Sequence, residues 1–186
     1  MAPRRDPNTK SKEKILRFVH DPFHISGGLK NFTGNLGTAI VKISPGAAGK
    51  RLIEATKPVF HSQIEVKRTF QSGALDRDVL LIVRYQGPSA NGMPELHNLT
   101  PFLTILQDRG FKVASVTDGH MWGASGKVPA AIQLSPEAAD SGPISQIKDS
   151  DILRFDALNR SLDNLACYCC QRSIVHPDIL DNEQGM

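Results

Sequence analysis

Two glycine-rich loops hold most of the side chains in this sequence that could do chemistry. The first, residues 87–95, follows the apolar run Val79–Val83, and the second, residues 117–127, follows the strand-like residues 111–116. Glycine lets the backbone come close to a ligand, and loops carried on buried strands hold polar groups in fixed positions. The two loops together therefore predict a binding or catalytic site.

Each charged or titratable residue in these loops has a chemical interpretation and a structural alternative. Asp118 could serve as a ligand or an acid–base group, but Asp-Gly is also common turn chemistry. His120 could act as a base, or it could be an exposed loop histidine. Lys127 and the amides around it could bind an anion, or it could be a solvated lysine. Glu95 lies beside the expected start of a helix, where the helix dipole favours negative charge in any case.

The loops and the segments beside them resemble the C-terminal domain of the dihydroxy-acid and phosphogluconate dehydratases, and the match is closest to the phosphogluconate members. The segments that carry the resemblance are RYQGPSANGMPELHNLTPFL, LQDRGFKVASVTDG and GASGKVPAAI, with weaker support from GGLKNFTGNLGTAIVKIS and IKDSDILRFDA. The resemblance runs from about residue 21 to about residue 162. It implies a hydro-lyase that dehydrates 6-phospho-D-gluconate to 2-dehydro-3-deoxy-6-phosphogluconate in the Entner–Doudoroff pathway.

The resemblance also assigns roles to residues of the two loops. Glu95, in the GMPE motif, looks like the family's Mg²⁺ ligand. Because such a hard cation is held by few carboxylates and keeps waters, its remaining ligands would come from another domain. Asn91, Ser125 and Lys127 are expected to bind substrate, with Lys127 near the phosphate or carboxylate. Asp118 is expected to belong to the catalytic loop.

Two residues depart from the family motif Thr-Asp-Gly-Arg-Met-Ser-Gly. His120 replaces the Arg, and Trp122 replaces the Ser that looks like the base removing the proton α to the carboxylate. The indole Nε1 only donates hydrogen bonds, so Trp122 cannot take that proton. We therefore expect the chain by itself to be catalytically silent. The alternative is a split subunit that is active only with a separate N-terminal domain.

The expected cofactors and partners follow from the same resemblance. The family uses a 4Fe-4S cluster and Mg²⁺, and we expect neither in this chain alone, because the cluster cysteines belong to the family's N-terminal domain. Expected partners are that domain or a second copy of the chain, and a phosphorylated sugar acid. Cys167, Cys169 and Cys170 lack the spacing typical of a zinc site and are expected to be free thiols.

Composition indicates an ordinary globular protein. The chain has 186 residues, of which 40% are hydrophobic and 22% charged, enough to bury a sizeable core. Part of the net charge of +3 comes from the basic opening segment, so nucleic-acid binding is not indicated. We expect no membrane segment and a cytoplasmic location. Residues 1–14 are expected to be a disordered basic tail, 15–165 the dehydratase-like domain, and 166–186 a frayed tail.

The predicted elements indicate an α/β fold, with a mixed, curved sheet or, from the resemblance, a β-barrel-like swivelling domain flanked by helices. Predicted strands are residues 38–43, 51–55, 58–60, 113–116, 130–134, 152–155 and the doubly buried Val79–Val83. The sequence Ser62-Gln63-Ile64-Glu65 is a capping box that predicts a helix ending at Gly73.

Two local patterns allow further predictions between these elements. Residues 31–37, NFTGNLG, are predicted to be a loop. Pro94 is placed at the start of a second helix. Pro101 should interrupt that helix near Thr100, or a turn should precede a helix that ends at Gly110.

Overall fold

The computed structural model describes residues 18, 20–21, 28–44, 52–56, 58–123, 126–149 and 151–165. Its strands are β1 (Leu29–Gly34), β2 (Gly37–Lys42), β3 (Leu52–Thr56), β4 (Val59–Phe60), β5 (Val79–Val83), β6 (Val113–Thr117), β7 (Ala130–Ser135), β8 (Ile152–Asp156) and β9 (Ser161–Asn164). Its helices are α1 (Gln63–Gln71), α2 (Pro88–Asn91) and α3 (Thr100–Asp108), with 3₁₀ turns at His97–Leu99, Ala138–Asp140 and Pro143–Gln146. The two predicted tails, with all three cysteines, lie outside the described residues.

The strands described form one mixed sheet in the order β3-β8-β9-β1-β2-β7-β6-β5-β4. Strands β4, β5, β6 and β7 run parallel to one another, whereas β1–β2, β2–β7, β3–β8 and β8–β9 are antiparallel pairs. Strand β3, at one edge, packs against β5 near the other edge, so the sheet curls into a half-barrel. The prediction of an α/β fold with a mixed, curved sheet is confirmed.

Strand β5 separates the two halves of the hydrophobic core. Leu80 and Ile82 point to a cluster inside the curl that includes Phe32 and Phe155. Leu81 packs in a second cluster, with residues of α1 and α3. Every residue of β5 is buried, so this strand is covered on both faces as its continuous apolar sequence predicted.

Helix α1 begins and ends where the sequence predicts. The hydroxyl of its N-cap, Ser62, accepts a hydrogen bond from the Glu65 backbone N–H at 3.3 Å. The Glu65 carboxylate accepts in return from the N–H of His61, one residue before the N-cap, at 2.8 Å. At the other end Gly73 has a φ of +76°, which suits glycine after the C-cap.

One loop prediction and one helix-start prediction are wrong. Residues 31–37 are not a loop, because β1 extends to Gly34 and only two residues turn the chain into β2. The Asn and Gly residues serve a tight hairpin, and Gly37 has a φ of +113°. Likewise, Pro94 does not start a helix, since Glu95 forms an isolated β-bridge with His120.

The alternative for Pro101 is confirmed. A 3₁₀ turn precedes α3, and Pro101 lies in the first turn of that helix, where its missing N–H has no intrahelical partner to lose. The helix ends before Gly110, whose φ is +98°. No helix within the described ranges is long and apolar enough to cross a bilayer.

The first prediction concerns the N-cap of α1. Replacing Ser62 by Ala removes the acceptor for the Glu65 N–H and should lower the free energy of unfolding by about 1 kcal/mol. Urea denaturation followed by circular dichroism measures this loss. Ser62→Asp keeps an acceptor and should unfold close to the wild-type midpoint, whereas an equal loss in both variants would contradict the capping role.

Candidate functional site

The two glycine-rich loops lie side by side at one edge of the sheet. Strands β5 and β6 are parallel and in register from Val79 opposite Val113 to Val83 opposite Thr117, so their carboxyl ends meet. A Cβ atom on Gly119 would lie 2.7 Å from the Gln86 Cβ and 2.8 Å from its carbonyl oxygen. The loops touch there through backbone, and only glycine fits.

Asp118 links its own loop to two other segments, the residues that follow β5 and the 3₁₀ turn that follows β7. Its side chain is buried with the residue 1% exposed, and its carboxylate accepts the backbone N–H of Tyr85 at 3.0 Å, of Gln86 at 2.9 Å and of Ala138 at 3.0 Å. These contacts favour the structural interpretation of the Asp-Gly pair. A catalytic role for Asp118 stays a prediction.

Glu95, His120 and Trp122 come together where the loops meet. Glu95 is the bridge partner of His120, and the Leu96 N–H donates to the His120 carbonyl at 3.1 Å. Both carboxylate oxygens of Glu95 lie 3.1 Å from the backbone nitrogen of Trp122. The Nδ1 atom of His120 lies 3.4 Å from the Glu95 Oε2. The predicted metal ligand therefore lies directly beside the two residues that depart from the family motif.

Both polar backbone groups of Trp122 are hydrogen-bonded. Glu95 accepts its N–H, and its carbonyl accepts a hydrogen bond of 2.7 Å from Lys42 Nζ. The same ammonium lies 5.8 Å from the centre of the indole ring, within the range of a cation–π contact. The indole itself is 73% exposed. Sequence reasoning missed Lys42, because nothing local distinguishes a lysine at the end of a strand.

The three predicted substrate-binding residues do not form one described cluster. Lys127 Nζ lies 2.8 Å and 3.0 Å from the two carboxylate oxygens of Asp108, at the end of α3. Asn91 donates its side-chain amide to the Gln86 Oε1 at 3.3 Å. Ser125 lies outside the described residues. Binding of substrate by these residues stays a prediction, and an anion at Lys127 would compete with Asp108.

Glu137 is a second buried carboxylate at this edge, and sequence reasoning did not identify it as part of the site. The residue is 8% exposed, and its Oε1 accepts the N–H of Ser89 at 3.0 Å. Its carboxylate also lies so close to Gly87 that a Cβ there would clash. The hydrogen bond from the Ser89 hydroxyl, with those from the Ser89 and Ala90 amides, holds the pKa of Glu137 below its ordinary value although burial opposes this.

The described residues of the site offer few ligands for a metal ion. Among the residues that the structure describes, no group of three or more His, Cys, Asp and Glu side chains could hold a metal ion. Glu95 presents a partly exposed carboxylate, which fits one ligand of a Mg²⁺ ion whose other ligands are waters or groups from elsewhere.

The second prediction concerns Asp118. Asp118→Ala leaves three backbone N–H groups without their acceptor, each costing about 1–3 kcal/mol, so unfolding should require at least about 3 kcal/mol less. Chemical denaturation measures the change. Asp140→Ala changes an exposed residue of the neighbouring 3₁₀ turn and should change stability by no more than about 0.5 kcal/mol. Similar losses in the two variants would show that Asp118 does not join the loops.

The third prediction concerns pH. The pKa of Glu137 is lowered in the fold, so its ionised carboxylate stabilises the folded state. This stabilisation is complete above the ordinary pKa of 4.5 and is lost as pH falls through the folded-state pKa. Glu137→Gln should remove this part of the pH dependence. Urea midpoints measured from about pH 7 to pH 3 test it, and parallel profiles for wild type and variant would refute it.

Comparison with known proteins places these loops in a family. The family model described as dihydroxy-acid/6-phosphogluconate dehydratase C-terminal matches residues 14–168. A phosphogluconate dehydratase of Rhizobium meliloti (strain 1021) is 48% identical over 182 residues, which cover 97% of this chain and 30% of that protein. One from Pseudomonas aeruginosa is 52% identical over 159 residues, covering 86% of this chain and 26% of the relative.

A more distant relative extends the comparison to the other branch of the family. A dihydroxy-acid dehydratase of Pyrococcus furiosus is 36% identical over 159 residues, covering 83% of this chain and 28% of the relative. The chain thus spans between 26% and 30% of the length of these three relatives. The match of the family model includes both glycine-rich loops, with Glu95, His120 and Trp122. This chain belongs to the dihydroxy-acid/6-phosphogluconate dehydratase C-terminal family.

Proposed function

We propose that this chain is the C-terminal part of a phosphogluconate-dehydratase-type hydro-lyase and that it is catalytically silent, both alone and when the rest of such an enzyme is supplied. The reaction is dehydration of 6-phospho-D-gluconate to 2-dehydro-3-deoxy-6-phosphogluconate, a cytoplasmic step of the Entner–Doudoroff pathway. The relatives that share about half of its residues are named phosphogluconate dehydratases. The proposal that the chain is inactive rests on Trp122, which lies where the two loops meet, at the position that the family motif gives to the catalytic base.

Dehydration begins with removal of a proton α to the substrate carboxylate, and Trp122 offers no atom suited to this step. The indole nitrogen only donates hydrogen bonds. The peptide N–H is directed at Glu95, and the peptide carbonyl accepts from Lys42. A hydroxymethyl group at the same Cα would stand between the same two contacts. The backbone contacts would therefore be open to a serine as well, whereas the indole cannot take the proton.

Glu95 would hold the Mg²⁺ ion of the family through its carboxylate. When bound, that ion would supply Lewis-acid chemistry at a substrate oxygen. The remaining ligands, and the 4Fe-4S cluster, belong in this proposal to the part of the relatives that the match does not cover. This chain's own contribution is to orient the carboxylate through the Trp122 N–H and through Gln63, whose side-chain amide donates to the Glu95 carbonyl at 3.0 Å.

The second candidate is a split subunit that becomes active when a separate N-terminal domain binds. The contact between Glu95 and the second loop favours it, because it holds the carboxylate expected to bind Mg²⁺ in a fixed position. The two candidates differ in one measurement, the turnover of 6-phosphogluconate by this chain mixed with such a domain.

The fourth prediction uses that measurement. The chain is mixed with the part of the Rhizobium meliloti phosphogluconate dehydratase that precedes the matched region, and formation of the 2-keto product is followed. We expect no turnover with wild type, since loss of a positioned base costs about 10² to 10⁴ in rate and the indole also occupies space that the substrate needs. Trp122→Ser should recover part of the activity, and adding His120→Arg should increase it further.

Trp122→Ala is the matched control for this experiment. It relieves the crowding of the indole and supplies no base. Equal recovery with Ala and Ser would identify bulk as the defect, and turnover by wild type at an ordinary enzymatic rate would establish the split subunit and refute silence.

A further inference from the structure

Glu95 and His120 present two metal-binding atoms of different chemistry to the same point. We propose that they form a two-ligand site for a late first-row divalent cation, Zn²⁺ or Co²⁺, that binds Mg²⁺ less well. The inference rests on the proposed function in one respect, because it concerns the carboxylate proposed there to hold Mg²⁺. The new element is the imidazole of His120.

The separation of the two atoms suits two ligands of one metal ion. The His120 Nδ1 lies 3.4 Å from the Glu95 Oε2, whereas a charge-assisted hydrogen bond between such groups is typically about 2.7–2.9 Å long. Two ligands bound tetrahedrally to one Zn²⁺ ion at about 2.0–2.2 Å lie about 3.4 Å apart. The observed distance is therefore long for a hydrogen bond and suited to an ion between the two atoms.

Both ligands are held in place before any ion binds. Their residues are backbone partners in the β-bridge, with the Leu96 N–H donating to the His120 carbonyl. The Glu95 carbonyl accepts from Gln63, and its carboxylate accepts from the Trp122 N–H. A carboxylate has about four acceptor positions, so one N–H leaves room for an ion. This arrangement reduces the ordering that metal binding would otherwise require.

The site is also open enough to complete a coordination shell with water. The side chains of His120 and Glu95 are 23% and 42% exposed. The nearby cation, Lys42, is directed at the Trp122 carbonyl and its ring, so the described contacts direct its ammonium at neither ligand.

The chemistry of imidazole decides which ion is preferred. Imidazole nitrogen suits zinc, cobalt, nickel and copper, whereas Mg²⁺ prefers oxygen ligands and gives up water reluctantly. The Arg of the family motif has no free lone pair and stays charged, so it cannot bind a metal. The exchange of Arg for His120 therefore adds a ligand where the family motif has a cation, and it shifts the ion that Glu95 can hold.

The test follows the fluorescence of Trp122, the one tryptophan of the sequence, while Co²⁺ is added to the full chain. Its peptide N–H contacts Glu95, so a paramagnetic ion at the site should quench its emission. All arms carry serine in place of Cys167, Cys169 and Cys170, since thiolates bind the same ions. We expect saturable quenching that Zn²⁺ reverses and that Mg²⁺ at the same concentration leaves intact.

The variants locate the ion. Glu95→Gln, His120→Arg and the uncharged His120→Asn should each weaken Co²⁺ binding by about tenfold or more. His61→Ala is the matched control, because the His61 ring faces Arg84 at 3.5 Å and stacks on Tyr85 instead, and it should bind Co²⁺ as the parent does. Circular dichroism of each variant shows that it has folded.

Several outcomes overturn the inference. Quenching unchanged by both His120 substitutions places the ion elsewhere, and reversal by Mg²⁺ as readily as by Zn²⁺ refutes the selectivity. Neither outcome depends on turnover of 6-phosphogluconate. Conversely, failure of Trp122→Ser to restore dehydration would count against the proposed function and leave the cobalt titration unaffected.

Discussion

The arrangement of this site depends on one buried carboxylate, that of Asp118. It accepts three backbone N–H groups from two other segments, the residues that follow β5 and the start of the 3₁₀ turn after β7. A buried amide without an acceptor is costly, so these segments are stable only where Asp118 can reach them. The contact of Gly119 with Gln86 follows from this, because the loops are drawn together until their backbones touch.

Glu137 stabilises the first loop in the same way, by accepting a backbone N–H. It binds the amide of Ser89 and lies against Gly87, so the start of α2 is fixed by a carboxylate from the far end of β7. Both buried acids bind backbone amides, whereas the more exposed Glu95 accepts a single N–H and keeps capacity for a ligand. Burial thus separates these two carboxylates from Glu95, which is more exposed and keeps acceptor capacity.

The backbone of residue 122 is held by hydrogen bonds that a different side chain could also leave in place. Its N–H and carbonyl are bound by Glu95 and Lys42; both are backbone hydrogen bonds, and Lys42 also lies over the indole ring. Since the indole is directed largely to solvent, a tryptophan is accommodated without disturbing the buried core. The same argument applies to His120, whose backbone is held by the bridge to Glu95.

The sequence by itself determined the features that depend on neighbouring residues. The apolar run of β5, the cap at Ser62 and the positive φ of Gly110 need only a few adjacent side chains to specify them. The family, too, follows from the sequence of the two loops. The Asn and Gly residues of 31–37 predicted a loop, but β1 continues to Gly34 with Phe32 buried in the core.

Only the tertiary structure decided which of the polar residues meet. Lys42 contacts Trp122 across 80 positions, Glu137 contacts Ser89 across 48, and Glu95 contacts Trp122 across 27. Local propensity carries no information about such pairs, because they depend on the order of strands in the curled sheet. For the same reason Pro94, placed at a helix start by its sequence, lies next to a bridge instead: pairing Glu95 with His120 gives the Leu96 N–H its acceptor, the His120 carbonyl.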